Sequence, residues 1–451
     1  MIALWPLLAH ASRRGPLPLQ VVNIMKMRFA CGWLAVSLPI LGPISGICQN
    51  VVADWDAISL NAIVFQAKKA SAPVLFPYVD VAMYDAVNSI NHQYQPFAVR
   101  VDAPRHASID AAVVSAAHDV LVHYLPAQQS ALDAAQSASL SQITDSQAKT
   151  DGIAVGSAVA AQWIALRSDD GFEAPMTYVW GHGPGIWEPA PPFPPPVNFW
   201  MADFRPFTFP TASDFLDRID PPLSLGSEEW AEDYNLTKSF GALNGSLRTP
   251  EQTEVGIFWS APPQSLFSSG LRNLISEQKL DIAQSARLAV MANVAVADAT
   301  VACFNAKYHY AFWRPFTAIH DADSDGNKDT APDPNWQPLD ITPGHPEYPA
   351  AHGCATEALT VAIRDFFHTD KVHYRVFSSV TGTTHDFKRL SDVVIEVDEA
   401  RIFGGMHFRH SVLEGNILGR QVAEHVLKSH FQCDDDQARS KSKSAARLTV
   451  S

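Results

Sequence analysis

Apolar residues recur along this chain at three- and four-residue intervals, the spacing that gathers them on one face of an α-helix. The pattern begins at Ile58, Ala62, Ile63 and Phe65 and resumes at Val79, Ala82, Met83, Ala86, Val87 and Ile90. Further helices are predicted over Ile109–Tyr124, Ser130–Ile143 and Lys149–Arg167. The last two are rich in alanine and other small residues, which lets helix axes approach closely. Between Asp169 and Ala212 the pattern lapses. There the run Pro191-Pro-Phe-Pro-Pro-Pro196 and many aromatic residues predict a long ordered loop that shapes access to a neighbouring pocket. Helical spacing returns from Ser227 and is strongest from Leu280 to Phe312, where Ile282, Ala286, Leu288, Ala289, Ala292, Ala295 and Val296 lie on adjoining faces. No run alternates with a period of two. The expected architecture is all-α, one large domain of packed helical bundles over residues 50–432.

Composition narrows the function classes. A formal net charge of −14 argues against broad binding to nucleic acid or anionic membrane, so any anion site must be local. Five cysteines show no paired spacing of a disulfide or zinc framework: Cys31 and Cys48 lie near the N-terminus, leaving Cys303, Cys354 and Cys433. Lys26 and Arg28 precede an uncharged run from Phe29 to Ala53 that Pro39 and Pro43 interrupt, the form of an export signal rather than a membrane anchor. Residues 1–48 are thus expected to be an upstream extension and signal peptide, and the mature chain an exported protein without a stable membrane span. The polar segment 433–451 is expected to be a frayed tail.

Three separated segments place cationic residues and histidines beside proline, glycine or small residues. In Lys307-Tyr-His-Tyr-Ala-Phe-Trp-Arg314-Pro315 a spacing of seven, nearly two helical turns, predicts that Lys307 and Arg314 face one side, with Pro315 ending the helix. In His345-Pro-Glu-Tyr-Pro-Ala350-Ala351-His352-Gly353 an apolar helical run follows. Free N–H groups at that helix start would meet an oxyanion, with His352 close enough to exchange protons. In Arg401-Ile-Phe-Gly404-Gly405-Met-His407-Phe-Arg-His410-Ser411 the glycine pair permits a bend that brings Arg401 and His407 together, and Ser411 with Glu414 forms a candidate capping box.

These segments resemble the three signature motifs of the vanadium-dependent haloperoxidase and type 2 phosphatidic acid phosphatase superfamily: Lys-x6-Arg-Pro, Pro-Ser-Gly-His and Ser-Arg-x5-His-x3-Asp. Asp54-Trp-Asp-Ala-Ile58, Ala82-Met-Tyr-Asp-Ala-Val87 and Asn293-Val-Ala-Val-Ala-Asp298 also resemble its bacterial haloperoxidase-like branch. The resemblance implies that Lys307, Arg314, Arg401 and the Ala351 backbone hold the oxygens of vanadate, a site that phosphate or sulfate can also fill. It implies that His352 is the acid/base and that His407 is the metal ligand, or the nucleophile of a phosphatase. It further implies hydrogen peroxide, a halide and possible small organic substrates as partners, and it associates the histidine form at His345 with bromide rather than chloride. The alternatives are a soluble acid phosphatase working through a phosphohistidine and an anion-binding pseudoenzyme.

The chain departs from the motifs. Ala350 and Ala351 replace Ser-Gly, removing a hydroxyl donor but leaving backbone N–H groups, and Ala400 replaces the serine before Arg401. Ser411 stands where the family often has Asp, and a serine orients His407 less firmly than a carboxylate. Separately, Asp321, Asp323 and Asp325 with Gly326 look like the start of a calcium loop. Position twelve is Pro332 rather than Glu, so an acidic surface turn is expected and calcium is not.

Overall fold

Short polar side chains start many of the helices by accepting the first free N–H groups. In a computed structural model, which describes residues 50–66, 69–190 and 196–433, Asn50 caps α1 (Val51–Leu60), and α2 follows (Ala72–Asn91). Ser108 caps α3 (Ile109–Tyr124), α4 spans Gln129–Ser141, and Ser146 caps α5 (Gln147–Leu166). Ser227 caps α6 (Glu228–Gly241), and Thr249 with Gln252 forms a capping box on α7 (Pro250–Phe258). After α8 (Pro263–Glu277), a second capping box of Asp281 and Gln284 opens α9 (Ile282–Tyr310). Then come α10 (Pro315–His320), α11 (Ala351–Phe367), α12 (Leu390–Phe403) and α13 (Arg409–Ser429). The helices predicted over Ile109–Tyr124, Ser130–Ile143 and Lys149–Arg167 thus stand within about two residues of their expected ends, whereas α1 and α2 start earlier than the apolar pattern indicated. The N-terminal stretch expected to be an export signal, residues 191–195 and the tail from 434 lie outside the described residues.

Two bundles share α9. On one side α2 packs on α3 and α3 on α5; on the other α11 and α13 pack on α9 and on each other, with α12 against α11. The small residues of α5 act as their composition predicts, since a Cβ at Gly152 or Gly156 would collide with backbone carbonyls of Ser108 or Ala112. The 29-residue α9 is apolar and long enough to cross a bilayer, yet 94% of its most apolar window is buried inside the bundles.

Three expectations need correction. A short antiparallel hairpin exists, β1 (Tyr374–Ser378) with β2 (Thr383–Phe387), and Tyr374 faces Phe387. Tyr374, Val376 and Ser378 are buried alternately, but five residues with one buried face are too few to stand out as a period of two. Lys307 and Arg314 do not share a helix. Ala311 turns left-handed (φ 45°) to end α9, Arg314 is extended, and Pro315 begins α10, where its missing N–H costs nothing. Finally, α13 starts at Arg409, so Ser411 lies inside it and forms no capping box with Glu414. Glu414 instead accepts from the backbone of Asp220 at 3.0 Å.

Candidate active site

Each motif delivers its side chain from a helix end or from the extended chain beside one. Lys307 lies in the last turn of α9, Arg314 just before α10, His352 in the first turn of α11, Arg401 in the last turn of α12, and His407 between α12 and α13. The second and third motifs are drawn together by close contact of α11 with α13. A Cβ at Gly415 would lie 2.6 Å from the Ala350 carbonyl, and one at Gly419 would collide with that of Cys354. As anticipated, the chain bends at the glycine pair, with Gly404 ending α12 and Gly405 left-handed (φ 72°).

The structure brings Lys307, Arg314, Arg401, His345, His352 and His407 into one neighbourhood. Lys307 Nζ donates to the carbonyls of Pro346 (3.0 Å) and Glu347 (2.9 Å), leaving a third N–H. Arg314 donates to His345 O (2.9 Å), His345 Nδ1 (3.0 Å), Met406 O (2.9 Å) and His407 Nε2 (3.1 Å). His345 therefore sits beside the guanidinium, its ring 5.0 Å from that of Phe304. Arg401 makes no hydrogen bond through its side chain among the described residues, and its buried Nε has no partner. The buried Nε2 of His352 has none either, while part of that residue remains exposed. Among the described residues no side chain caps α11, and of the two alanine N–H groups that of Ala351 is free, whereas Ala350 donates to Ser411 O at 2.9 Å.

Burial dominates the electrostatics. It pushes Lys307 down to about 8, Arg314 to about 9 and Arg401 to about 10. His345, His352 and His407 are driven well below the usual imidazole range by burial and then by the neighbouring cations, so all three are neutral at pH 7. Burial also raises Glu347 to about 7 against the pull of Arg314 and Lys307. Lys307 and Arg314 thus share one buried carboxylate, Glu347, and Arg401 has only the half-buried Asp340. Charge removed from water needs a counter-charge, and the excess here calls for an anion.

Glu347 is the residue that sequence reasoning passed over. Its Oε1 accepts from His407 Nδ1 at 2.8 Å and from the Phe408 N–H at 3.1 Å. Ser411, expected to orient His407, points instead to the Glu347 carbonyl at 3.4 Å. One signal was available: Glu347 is the sole acidic residue between Asp340 and Glu357, in a segment otherwise built of apolar, small and proline residues and two histidines. The calcium candidates stand elsewhere. Asp325 accepts from Trp230 Nε1 (3.1 Å), the Asn327 N–H (2.7 Å) and Thr330 Oγ1, whereas Asp321 and Asp323 are exposed.

Residues 287–435, which contain all of these motifs, match a family model described as the VCPO second helical-bundle domain. The vanadium chloroperoxidase of Curvularia inaequalis is 25% identical over 191 residues, a match covering 36% of this chain and 31% of that protein. The crystal structure of the first bacterial vanadium-dependent iodoperoxidase superposes with a TM-score of 0.71 at 20% identity, covering 85% of this chain and 96% of that one. A holo bacterial vanadium-dependent chloroperoxidase gives 0.67 at 15% identity, covering 84% and 97%. This chain has the vanadium haloperoxidase fold. The resemblance carried by the three motifs is thereby shown, and the helical-bundle architecture with it. The chain matches under a third of the fungal protein's length, and the structural likenesses speak for the fold alone.

Proposed function

We propose that this protein is a vanadium-dependent haloperoxidase that oxidises halide with hydrogen peroxide, bromide in preference to chloride. The observation that carries the reading is the convergence of Lys307, Arg314 and Arg401 on the neutral imidazole of His407 in a buried pocket with too little negative charge of its own. The residues fit vanadate on two counts. Arg401 Nε and His352 Nε2 are buried without partners among the described residues, and the buried cations outnumber the buried carboxylate. Vanadate held there would supply Lewis acidity for peroxide activation.

In this reading Lys307, Arg314, Arg401 and the Ala351 N–H bind oxyanion oxygens, and His407 offers its Nε2 lone pair. That lone pair now accepts from Arg314 Nη1 at 3.1 Å, so His407 would have to be released by the guanidinium to hold the group. His352, neutral and with an unpartnered nitrogen, takes or gives the proton. His345, beside Arg314, is the candidate for tuning halide choice. Residues 185–187 and 197 form part of the surroundings: Trp187 donates to Ala311 O at 2.7 Å and Val197 to Gly344 O at 2.8 Å, so the loop that carries the proline run is anchored on both motif segments. We further propose export, with residues 1–48 removed; N-terminal sequencing of native protein retaining Met25 would refute this.

One observation favours a second reading. The Glu347 carboxylate on His407 Nδ1 is what a nucleophilic histidine needs, so a phosphatase working through a phosphohistidine at His407 stands as the alternative. Assay of vanadate-loaded protein with peroxide and bromide, against p-nitrophenyl phosphate without vanadate, separates the two. Bromination is expected, and phosphate ester hydrolysis without bromination would overturn the haloperoxidase reading.

A further inference from the structure

We propose that Glu347 is the positioning residue of His407, fixing the imidazole in the tautomer and orientation that present Nε2 to the oxyanion pocket, in place of a residue at position 411. The inference deepens the proposed function and rests on that reading for the identity of the oxyanion.

The tautomer follows from hydrogen-bond chemistry. A guanidinium can only donate, so the Arg314 Nη1 contact at 3.1 Å makes His407 Nε2 an acceptor. A neutral imidazole that accepts at Nε2 carries its proton on Nδ1, and that proton has one acceptor, Glu347 Oε1 at 2.8 Å. The same oxygen takes the N–H of Phe408 at 3.1 Å, so one carboxylate fixes both the ring and the backbone that follows it.

Glu347 is itself held at three points along its own stretch of chain. Its N–H donates to Phe312 O at 2.9 Å, its carbonyl accepts from Lys307 Nζ at 2.9 Å, and the hydroxyl of the next residue, Tyr348, bonds to Asp220 O. A carboxylate on a fixed backbone therefore spans the motif that carries His352 and the motif that carries His407, its Oε1 engaged and its buried Oε2 without a partner among the described residues. Ser411 Oγ, directed at the Glu347 carbonyl at 3.4 Å, reaches neither ring nitrogen. The substitution of serine at 411 leaves His407 firmly oriented, because the carboxylate arrives from residue 347.

The test uses the full protein with Glu347→Gln and Glu347→Ala, reading vanadate affinity by calorimetry and the His407 tautomer by 15N-histidine NMR without vanadate, the His407 signal assigned by its loss in His407→Asn. Wild type should show the Nδ1–H tautomer. Glu347→Gln, near-isosteric and still able to accept from Nδ1–H, should keep that tautomer and lose about tenfold in affinity. Glu347→Ala should lose the fixed tautomer and up to about a hundredfold, the range for removing a partner that orients a metal-binding histidine. An Nε2–H tautomer in wild type, or vanadate affinity within twofold of wild type in both variants, overturns the proposal. A wild type that binds no vanadate overturns the haloperoxidase reading instead, and the NMR tautomer still tests Glu347.

Discussion

Gly405 and Gly241 touch backbone to backbone, and this contact sets the turn between Arg401 and His407. Gly405 has φ 72°, and a Cβ there would lie 2.7 Å from Gly241 O, 2.9 Å from Pro338 Cβ and 3.0 Å from Trp336 Cη2. Gly405→Ala meets both penalties, a left-handed backbone and a clash with atoms that cannot yield. A loss of about 1–3 kcal/mol in stability is expected, read as a lower denaturant midpoint, with weaker vanadate binding as Arg401 shifts from His407. An unchanged midpoint would show that the turn relaxes freely.

That glycine pair was readable from sequence, as were the helices, because capping residues and three-to-four spacing are local signals. Lys307 and Arg314 show the limit. Their spacing fits one helix, yet Ala311 breaks α9 before Arg314, and the two meet because the extended chain folds back under Gly185 and Trp187. Glu347 shows a deeper limit, since its partner His407 lies 60 residues away and nothing local to either announces the pairing. The Ser411–Glu414 capping box failed for a similar reason: Glu414 is claimed by Asp220 across the fold.

Arg401 is expected to separate stability from function. It is 2% exposed, has no side-chain hydrogen bond among the described residues, and only the charge of Asp340 offsets its burial. Arg401→Met should leave the oxyanion-free protein as stable as wild type or more so. It should weaken vanadate and phosphate alike by about tenfold to a hundredfold, the equivalent of a charge-assisted contact of about 1.5–3 kcal/mol. Lys307→Ala should show the same loss of affinity. Discrimination between the two oxyanions in either variant would contradict a clamp made of charge alone.

Asp325 belongs to the acidic turn, and its hydrogen bonds to Trp230, Asn327 and Thr330 give it work without a metal. Asp325→Ala leaves the indole N–H of the buried Trp230 without its acceptor. The expected cost is about 1–3 kcal/mol, measured in chelator-treated protein, with calcium shifting the melting temperature of neither form. Tight stoichiometric calcium binding by titration, abolished by Asp323→Ala, would show that the turn is a calcium loop after all.

Asp398 should make stability depend on pH in a direction opposite to that of a salt-bridged carboxylate. It lies on α12 one turn before Arg401, accepts from Asn416 Nδ2 of α13 at 2.7 Å, and is raised from 3.8 to about 8 by burial and then by Glu357 of α11 and Glu399, despite that hydrogen bond. Its Oδ1 is buried without a partner among the described residues, a position that a protonated carboxyl tolerates better than an ionised one. The unfolded chain releases that proton near 3.8 and the folded one only near 8. Below 3.8 both states hold it and no penalty arises; as pH rises through the interval the unfolded state alone ionises and stability falls; above 8 the loss is complete. Asp398→Asn supplies an amide donor that does not titrate. Its stability relative to wild type, from urea midpoints between pH 4 and pH 8.5, should therefore climb steadily across the window, while parallel curves for the two proteins would mean that Asp398 ionises in the folded state as freely as in the unfolded one.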